Sequence, residues 1–241
     1  MSDKFKYRSC IPEMMDATDV PGGLIHQCLH ELDLLNRTLG GHTLTLSGIK
    51  KLVTDKTRTY HIVDLGCGSG DTLKRIAKWA RTHHYKVRLT GIDINTDAIN
   101  YLTHQCKDYP EIIGIVCDWQ DYLEDDSTID IVHCSLFCHH LPDNKLATLF
   151  ELIHNRVKTG FVINDLRRNW LAYYCVYFIT RLFRGSLLSK NDGPLSVLNG
   201  FKSSELRAII EEAQIKQYVI RKKWAYRFLI LGFTGNETFK T

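Results

Sequence analysis

The chain has 241 residues, a formal charge of +4, and hydrophobic and charged fractions of 44% and 24%. That is enough for one well-cored α/β domain with elaborations but short for two independent domains, and it excludes extensive disorder. The modest charge and the lack of a long Lys/Arg run argue against a nucleic-acid partner, leaving only small clusters at Arg167-Arg168 and Arg221-Lys222-Lys223. Eight cysteines without a CxxC pair read as reduced thiols. Met1-Ser2-Asp3-Lys4-Phe5-Lys6 carries charge with no apolar stretch behind it, so no secretory signal is expected and the expected location is cytoplasmic.

In chain order, residues 1–55 hold one predicted amphipathic helix over 23–39, with Leu24, Cys28, Leu32 and Leu35 near helical spacing and Gly40-Gly41 after it. Tyr60-His61-Ile62-Val63-Asp64-Leu65 predicts a strand, and Thr72 to Trp79 a helix. Between them, Gly66, Gly68 and Gly70 form a turn where bare backbone can approach a ligand. A dinucleotide fingerprint requires Gly-x-Gly-x-x-Gly, and Asp71 occupies its last slot, which argues against NAD. Further strands are predicted at 87–94, ending at Asp93, and at 112–117, 129–134 and 160–165. Helices near 96–106 and 144–157 separate them, so strands and helices alternate. This rhythm predicts an α/β fold with a doubly wound, mostly parallel sheet. A helix near 203–213 then precedes two strands, 217–221 and 226–231, close enough to pair antiparallel.

The apolar segment Asn169 to Phe183, inserted after the fifth strand, is too short to span a membrane and reads as a substrate-facing helix or a dimer face. The expected organisation is therefore a helical cover (1–55), a core (56–168), an insertion (169–200) and a C-terminal helix with hairpin (201–241), all within a single domain, 1–241.

Gly-x-Gly-x-Gly behind Asp64, with Gly91-Ile92-Asp93 at the next strand end, resembles the S-adenosylmethionine site of class I methyltransferases. The resemblance implies a seven-stranded, Rossmann-like sheet with a C-terminal antiparallel hairpin. It also implies that Asp64 accepts from the methionine ammonium and that the backbone at Gly66, Cys67 and Gly68 faces the carboxylate. Asp93, with Ile94 beside it, would take the ribose hydroxyls. Asp118-Trp119 would meet the adenine amino group and ring face, and Ser135 joins the same set. A plain tight turn capped by Asp64, or a helix cap at Asp118, accounts for the same residues without a ligand.

After the fourth strand, Phe137-Cys138-His139-His140-Leu141-Pro142 is similar to the segment that stands near the cofactor methionine and acceptor mouth in small-molecule class I methyltransferases. Catalysis and loop packing are both open to His139 and His140, with His140 the better placed for the reacting end. No second ligand cluster with zinc-like spacing accompanies them, so no metal is expected. Asp165 can orient a histidine or act as base, and Arg167 or Arg168 can neutralise an acidic acceptor, although a surface ion-pair cluster explains the three equally well.

Pro12-Glu13-Met14-Met15-Asp16, Leu32 to Arg37, Asn164 to Arg168 and Asp192-Gly193-Pro194-Leu195-Ser196 resemble bacterial methyltransferases associated with type III polyketide synthase clusters. That resemblance implies secondary metabolism and transfer to a phenolic or polyketide-derived small molecule, chiefly at oxygen, with S-adenosylhomocysteine as product. It adds Arg37 as a contact to the cofactor carboxylate and Tyr173, in the apolar insertion, as an acceptor contact. Carbon methylation of a quinone-like acceptor, methylation of a macromolecule and a non-catalytic cofactor-binding protein are the alternatives. A monomer or homodimer, with at most weak membrane-surface contact, is expected.

Overall fold

The computed structural model describes residues 3–9, 11–17, 20–125 and 128–234. Helices α1 (Gly22–Thr38) and α2 (Gly41–Leu52) lead into the sheet, whose strands are β1 (Thr59–Leu65), β2 (Lys86–Asp93), β3 (Ile112–Val116), β4 (Ile129–Ser135), β5 (Val157–Leu166), β6 (Tyr218–Lys223) and β7 (Arg227–Phe233). Their order is β3-β2-β1-β4-β5-β7-β6. The first five are mutually parallel, and β7 runs antiparallel to both β5 and β6. Central strands read as continuous apolar runs because both faces are covered, and Ile62, Val63 and Leu65 of β1 are fully buried.

The intervening helices are α3 (Asp71–His83), α4 (Thr96–Gln105), α5 (Trp119–Glu124), α6 (Asp143–Arg156), α7 (Trp170–Leu182), α8 (Leu187–Asn199) and α9 (Ser203–Glu212). One apolar layer joins the sheet to α5, α6 and α9 through Leu123, Phe150, Phe161, Leu206 and Phe228. The other joins it to α2 and α3 through Ile49, Leu52, Leu73 and Ile76. A smaller cluster, Ile25, Cys28 and Leu29 of α1 with Ala98 of α4 and Leu188 of α8, seats the N-terminal cover over the carboxyl rim of the sheet.

Helix α2 has no counterpart in the sequence reading, where Gly40-Gly41 marked a helix end. Gly40 does turn the chain, at φ +77°, but Gly41 opens a second helix at once. That helix lies so close to the sheet that a Cβ on Gly48 would stand 2.6 Å from Val162 Cγ1. Helix α8 likewise has no counterpart in the sequence reading; it runs through Pro194, with Gly193 packed against Val176 of α7. Helix α7 leaves Trp170, Leu171, Tyr174, Phe178 and Leu182 exposed. Among the described residues, no helix is long and apolar enough to cross a membrane, and the cysteines are free; Cys10 lies outside them.

Candidate functional site

The strand β1 to helix α3 junction is a chain of tight backbone contacts. Ile92 O of β2 accepts from Gly66 N at 2.9 Å and Cys67 N at 3.1 Å, and Cys67 O accepts from Gly70 N at 3.0 Å. Gly66, Gly68 and Gly70 have φ of +68°, +49° and +73°, a region that costs a side chain free energy. At Gly66 space is also lacking, since a Cβ there would lie 2.3 Å from Phe137 Cδ2.

Asp64 is 2% exposed, and its Oδ1 has no hydrogen-bond partner. Burial, with the nearby charge of Asp93 second, holds its carboxyl well above the usual range. His133 Nδ1 stands 3.3 Å away without hydrogen-bond alignment, and burial pushes that imidazole down to about 3, so it is neutral and supplies no counter-charge. Asp93, ending β2, accepts from Gly68 N through Oδ2 at 3.0 Å and from Asn95 N through Oδ1 at 2.9 Å. Burial raises its carboxyl despite those two donors. Asp118 caps α5 by accepting from Gln120 N at 2.7 Å, and Trp119 is buried in the core behind it.

These residues border a single cavity of about 790 Å³. Its wall includes Asp64, Gly66, Cys67, Gly68, Asp93, Ile94, Asp118, Trp119 and Ser135, together with His139 and His140. The two histidines belong to a short 3-10 turn, Cys138–His140, reached through Leu136 at φ +57°, a conformation rare outside glycine. Asp165, fully buried on β5, faces His139 Nδ1 at 2.7 Å, and Asp16 faces His140 Nδ1 at 3.0 Å.

Glu13 completes the wall from the N-terminal segment, its Oε1 3.5 Å from His139 Nε2 and its Oε2 4.0 Å from His140 Nε2. Asp192 of α8 fixes this segment by accepting from Met14 N and Met15 N, while Arg8 donates to the carbonyls of His139 and Leu141. Burial opposes a charge on His139, but Asp165, by charge and hydrogen bond, and Glu13 outweigh it and raise the imidazole to about 10. Burial likewise pushes Glu13 and Asp165 up, and His139 more than offsets it, leaving both below the ordinary carboxylate range.

Residues 62–160 match the family model described as "Methyltransferase domain". No curated protein matches the sequence. Among solved structures, the plantazolicin methyltransferase BpumL in complex with SAH is similar over 91% of this chain and 92% of its own, with 15% identity and a TM-score of 0.69. A SAM-dependent methyltransferase from Aquifex aeolicus is similar over 90% and 100% (16% identity, TM-score 0.63), and human N-acetylserotonin methyltransferase over 97% and 65% (15%, 0.60). The chain spans about half, 51%, of the citrinin polyketide synthase CMeT domain (15% identity, TM-score 0.57). The fold is that of the class I methyltransferases.

Within this methyltransferase fold, five residues singled out in the sequence stand off the cavity. Arg37 is exposed and bonds Asp33 at 3.4 Å. Arg167 lies over the Tyr226 ring, and Arg168 is buried and occupied by Phe5 O, Gly200 O and Glu205. Tyr173 accepts from Lys4 Nζ at 2.6 Å and packs on Phe5. Asp165 lies one layer back, behind His139.

Among the polar side chains of this methyltransferase fold that reach the cavity without having been anticipated as site residues, Glu13 and Arg227 are buried. Glu13 appeared only inside a resemblance motif. Arg227, at the start of β7, is buried with Nη2 2.7 Å from Asn36 Oδ1 and Nε without a partner; burial lowers its guanidinium to about 10. A lone arginine opening a hairpin strand carries no local signal that it is buried.

Proposed function

We propose that this protein transfers a methyl group from S-adenosylmethionine to the oxygen of a small, lipophilic, phenolic or polyketide-derived acceptor in the cytoplasm. The observation that carries this reading is the orphaned, buried carboxyl of Asp64 beside a glycine turn that any Cβ would obstruct, both on one large cavity. An ammonium group satisfies Asp64, and the N–H groups of the turn suit a carboxylate. Asp93 retains acceptor capacity for two ribose hydroxyls after taking its two backbone donors, since a carboxylate offers about four lone-pair sites. Ile94, Asp118, Trp119 and Ser135 border the adenine and methionine regions in this reading.

When bound, the sulfonium supplies a methyl group already activated for displacement. The chain's own task is then to hold the acceptor oxygen in line and assist its deprotonation. Met15, Leu32, Leu141 and Val176 give the acceptor side an apolar wall. His140, partly exposed, and His139, oriented by Asp165, stand at its polar end. Arg37, Arg167, Arg168 and Tyr173 have no part in this reading because they lie off the cavity.

Incubating the purified chain with labelled S-adenosylmethionine and a panel of phenols, quinols and RNA tests it. Label is expected in a phenol, and transfer to RNA alone or to no acceptor would overturn the reading. In calorimetry, Asp93→Ala should weaken S-adenosylhomocysteine binding by about 100-fold or more, since two hydrogen bonds to a charged acceptor contribute roughly 1.5–3 kcal/mol each. Unchanged affinity would remove Asp93 from the cofactor site.

A further inference from the structure

Each imidazole at the acceptor end is held tightly on one nitrogen and loosely on the other. The Nδ1 atoms meet Asp165 at 2.7 Å and Asp16 at 3.0 Å, within hydrogen-bond range. Both Nε2 atoms turn instead toward Glu13, at 3.5 Å and 4.0 Å, beyond the 2.7–2.9 Å of a charge-assisted bond. Two imidazole nitrogens and a carboxylate thus face one another at distances longer than direct bonds. We propose that Glu13, His139 and His140 form a binding site for one divalent transition-metal ion of the zinc type, at the acceptor end of the cavity.

Three features fit that assignment. First, the donor set is two imidazoles and one carboxylate, which suits zinc-like ions over magnesium or calcium and leaves a coordination position open. Second, the three ligand atoms lie within 4.8 Å of one another, whereas tetrahedral ligands at zinc distances stand about 3.3 Å apart. Side-chain rotations closing the widest pair by roughly 1.5 Å would bring them to bonding range. Third, Asp165 and Asp16 stand where carboxylates orient metal-bound histidines through Nδ1–H, leaving Nε2 to take the ion as its proton is released to solvent.

The carboxylate is also held in place. Asn199 Nδ2 donates to Glu13 Oε1 at 3.3 Å, and the flanking Met14 and Met15 amides are pinned by Asp192. The sequence alone suggested no metal here because the third ligand comes from the N-terminal segment, remote from the histidine pair. The open position faces the cavity, so an oxygen donor of the acceptor would be the fourth ligand, which narrows the acceptor to one presenting a hydroxyl or oxyanion there. Only that last step rests on the methyl-transfer reading; the metal site itself does not.

The test uses the full chain stripped with a chelator and then titrated with Co2+ as a spectroscopic probe and with Zn2+ by calorimetry. S-Adenosylhomocysteine binding and a urea melt serve as fold controls. One Co2+ per chain is expected, with the intense visible absorption of a low-coordinate ion and displacement by Zn2+. Glu13→Gln and His140→Ala should each lower affinity by about 100-fold, and Asp16→Asn by about tenfold, the lower end for an orienting partner. If Glu13→Gln fails to fold, the partly exposed His140 and Asp16 positions carry the comparison.

A folded wild-type chain that takes up no Co2+ would overturn the proposal, as would uptake unchanged in His140→Ala, which would assign the ion to other histidines. S-Adenosylhomocysteine binding without Co2+ binding would refute the metal site alone. Co2+ binding without S-adenosylhomocysteine binding would refute the cofactor reading alone.

Discussion

The Asp64→Asn variant should bind S-adenosylhomocysteine with a weaker dependence on pH than the native chain, which should bind it more tightly as pH rises. The reason lies in a carboxyl that is 2% exposed, has no donor on Oδ1 and sits near a second acid, Asp93. Its neighbour His133 is neutral and stabilises no negative charge. In the free protein Asp64 therefore holds a proton well above the ordinary carboxylate range, and an incoming ammonium must displace it. Within the window between its free and bound pKa values, Kd should fall about tenfold per pH unit.

Calorimetry in two buffers of different ionisation enthalpy reads the released proton directly. Between about pH 5.5 and about pH 6.5 the ligand's own amine, at about 7.7–8.0 or above, stays charged and does not confuse the result. Native protein should show an apparent enthalpy that depends on the buffer, and Asp64→Asn should show a smaller dependence. The variant should also lose about ten- to hundredfold in affinity, the equivalent of one charge-assisted hydrogen bond at roughly 1.5–3 kcal/mol. Equal enthalpies in the native protein would mean that Asp64 is already ionised, and native affinity in the variant would place the ammonium elsewhere.

Gly66→Ala should destabilise the fold by at least about 1–2 kcal/mol through its left-handed φ of +68°. It should also weaken S-adenosylhomocysteine binding, because Phe137 must leave the cavity wall to make room. A urea midpoint within about 0.5 kcal/mol of native would refute it.

In chelator-treated protein, the His139 contacts should make stability fall on the alkaline side. A value of about 10 against 6.5 means a contribution fully present below about pH 6.5 and lost as pH rises through 10. Glu13 and Asp165, held below their ordinary values, contribute above the carboxylate range, and that contribution is lost as pH falls through it. Urea melts from about pH 7 to about pH 10 should show the alkaline decline in the native chain and not in His139→Gln. A native stability flat across that range would contradict the buried imidazolium.

What the sequence disclosed follows the range of the interactions involved. Asp64, the three glycines and Asp93 were legible because strand, turn and helix are local, and because parallel strands deliver their ends to one rim. The polar residues facing His139 and His140 were less legible, since tertiary packing alone places Glu13 beside them. Asp165 was read as a possible histidine partner, and the structure sets it on His139 Nδ1. Its neighbours Arg167 and Arg168 were grouped with it by adjacency, but the chain turns away after Leu166 to bridge Phe201, carrying Arg168 into the protein. The two undetected helices share one cause: Gly40-Gly41 and Gly193-Pro194 look like punctuation, and at Gly48 and Gly193 a missing side chain permits close packing.

The N-terminal segment that carries Arg8, Ser9 and residues 13–16 has a bearing on how the protein comes to be built. Ser9 N donates to Leu198 O, Met14 and Met15 to Asp192, and Arg8 to carbonyls near His139. Lying ahead of α8 in the chain, this segment cannot complete its docking until α8 exists, so the glycine cradle between β1 and α3 is made about half of these 241 residues before the wall around Glu13 can close. Closing so long a loop is entropically costly and comes late. On the methyl-transfer reading, a nascent chain can thus possess a place for the methyl donor before it has a place for the acceptor, and it acquires the second only with the tertiary fold around α8.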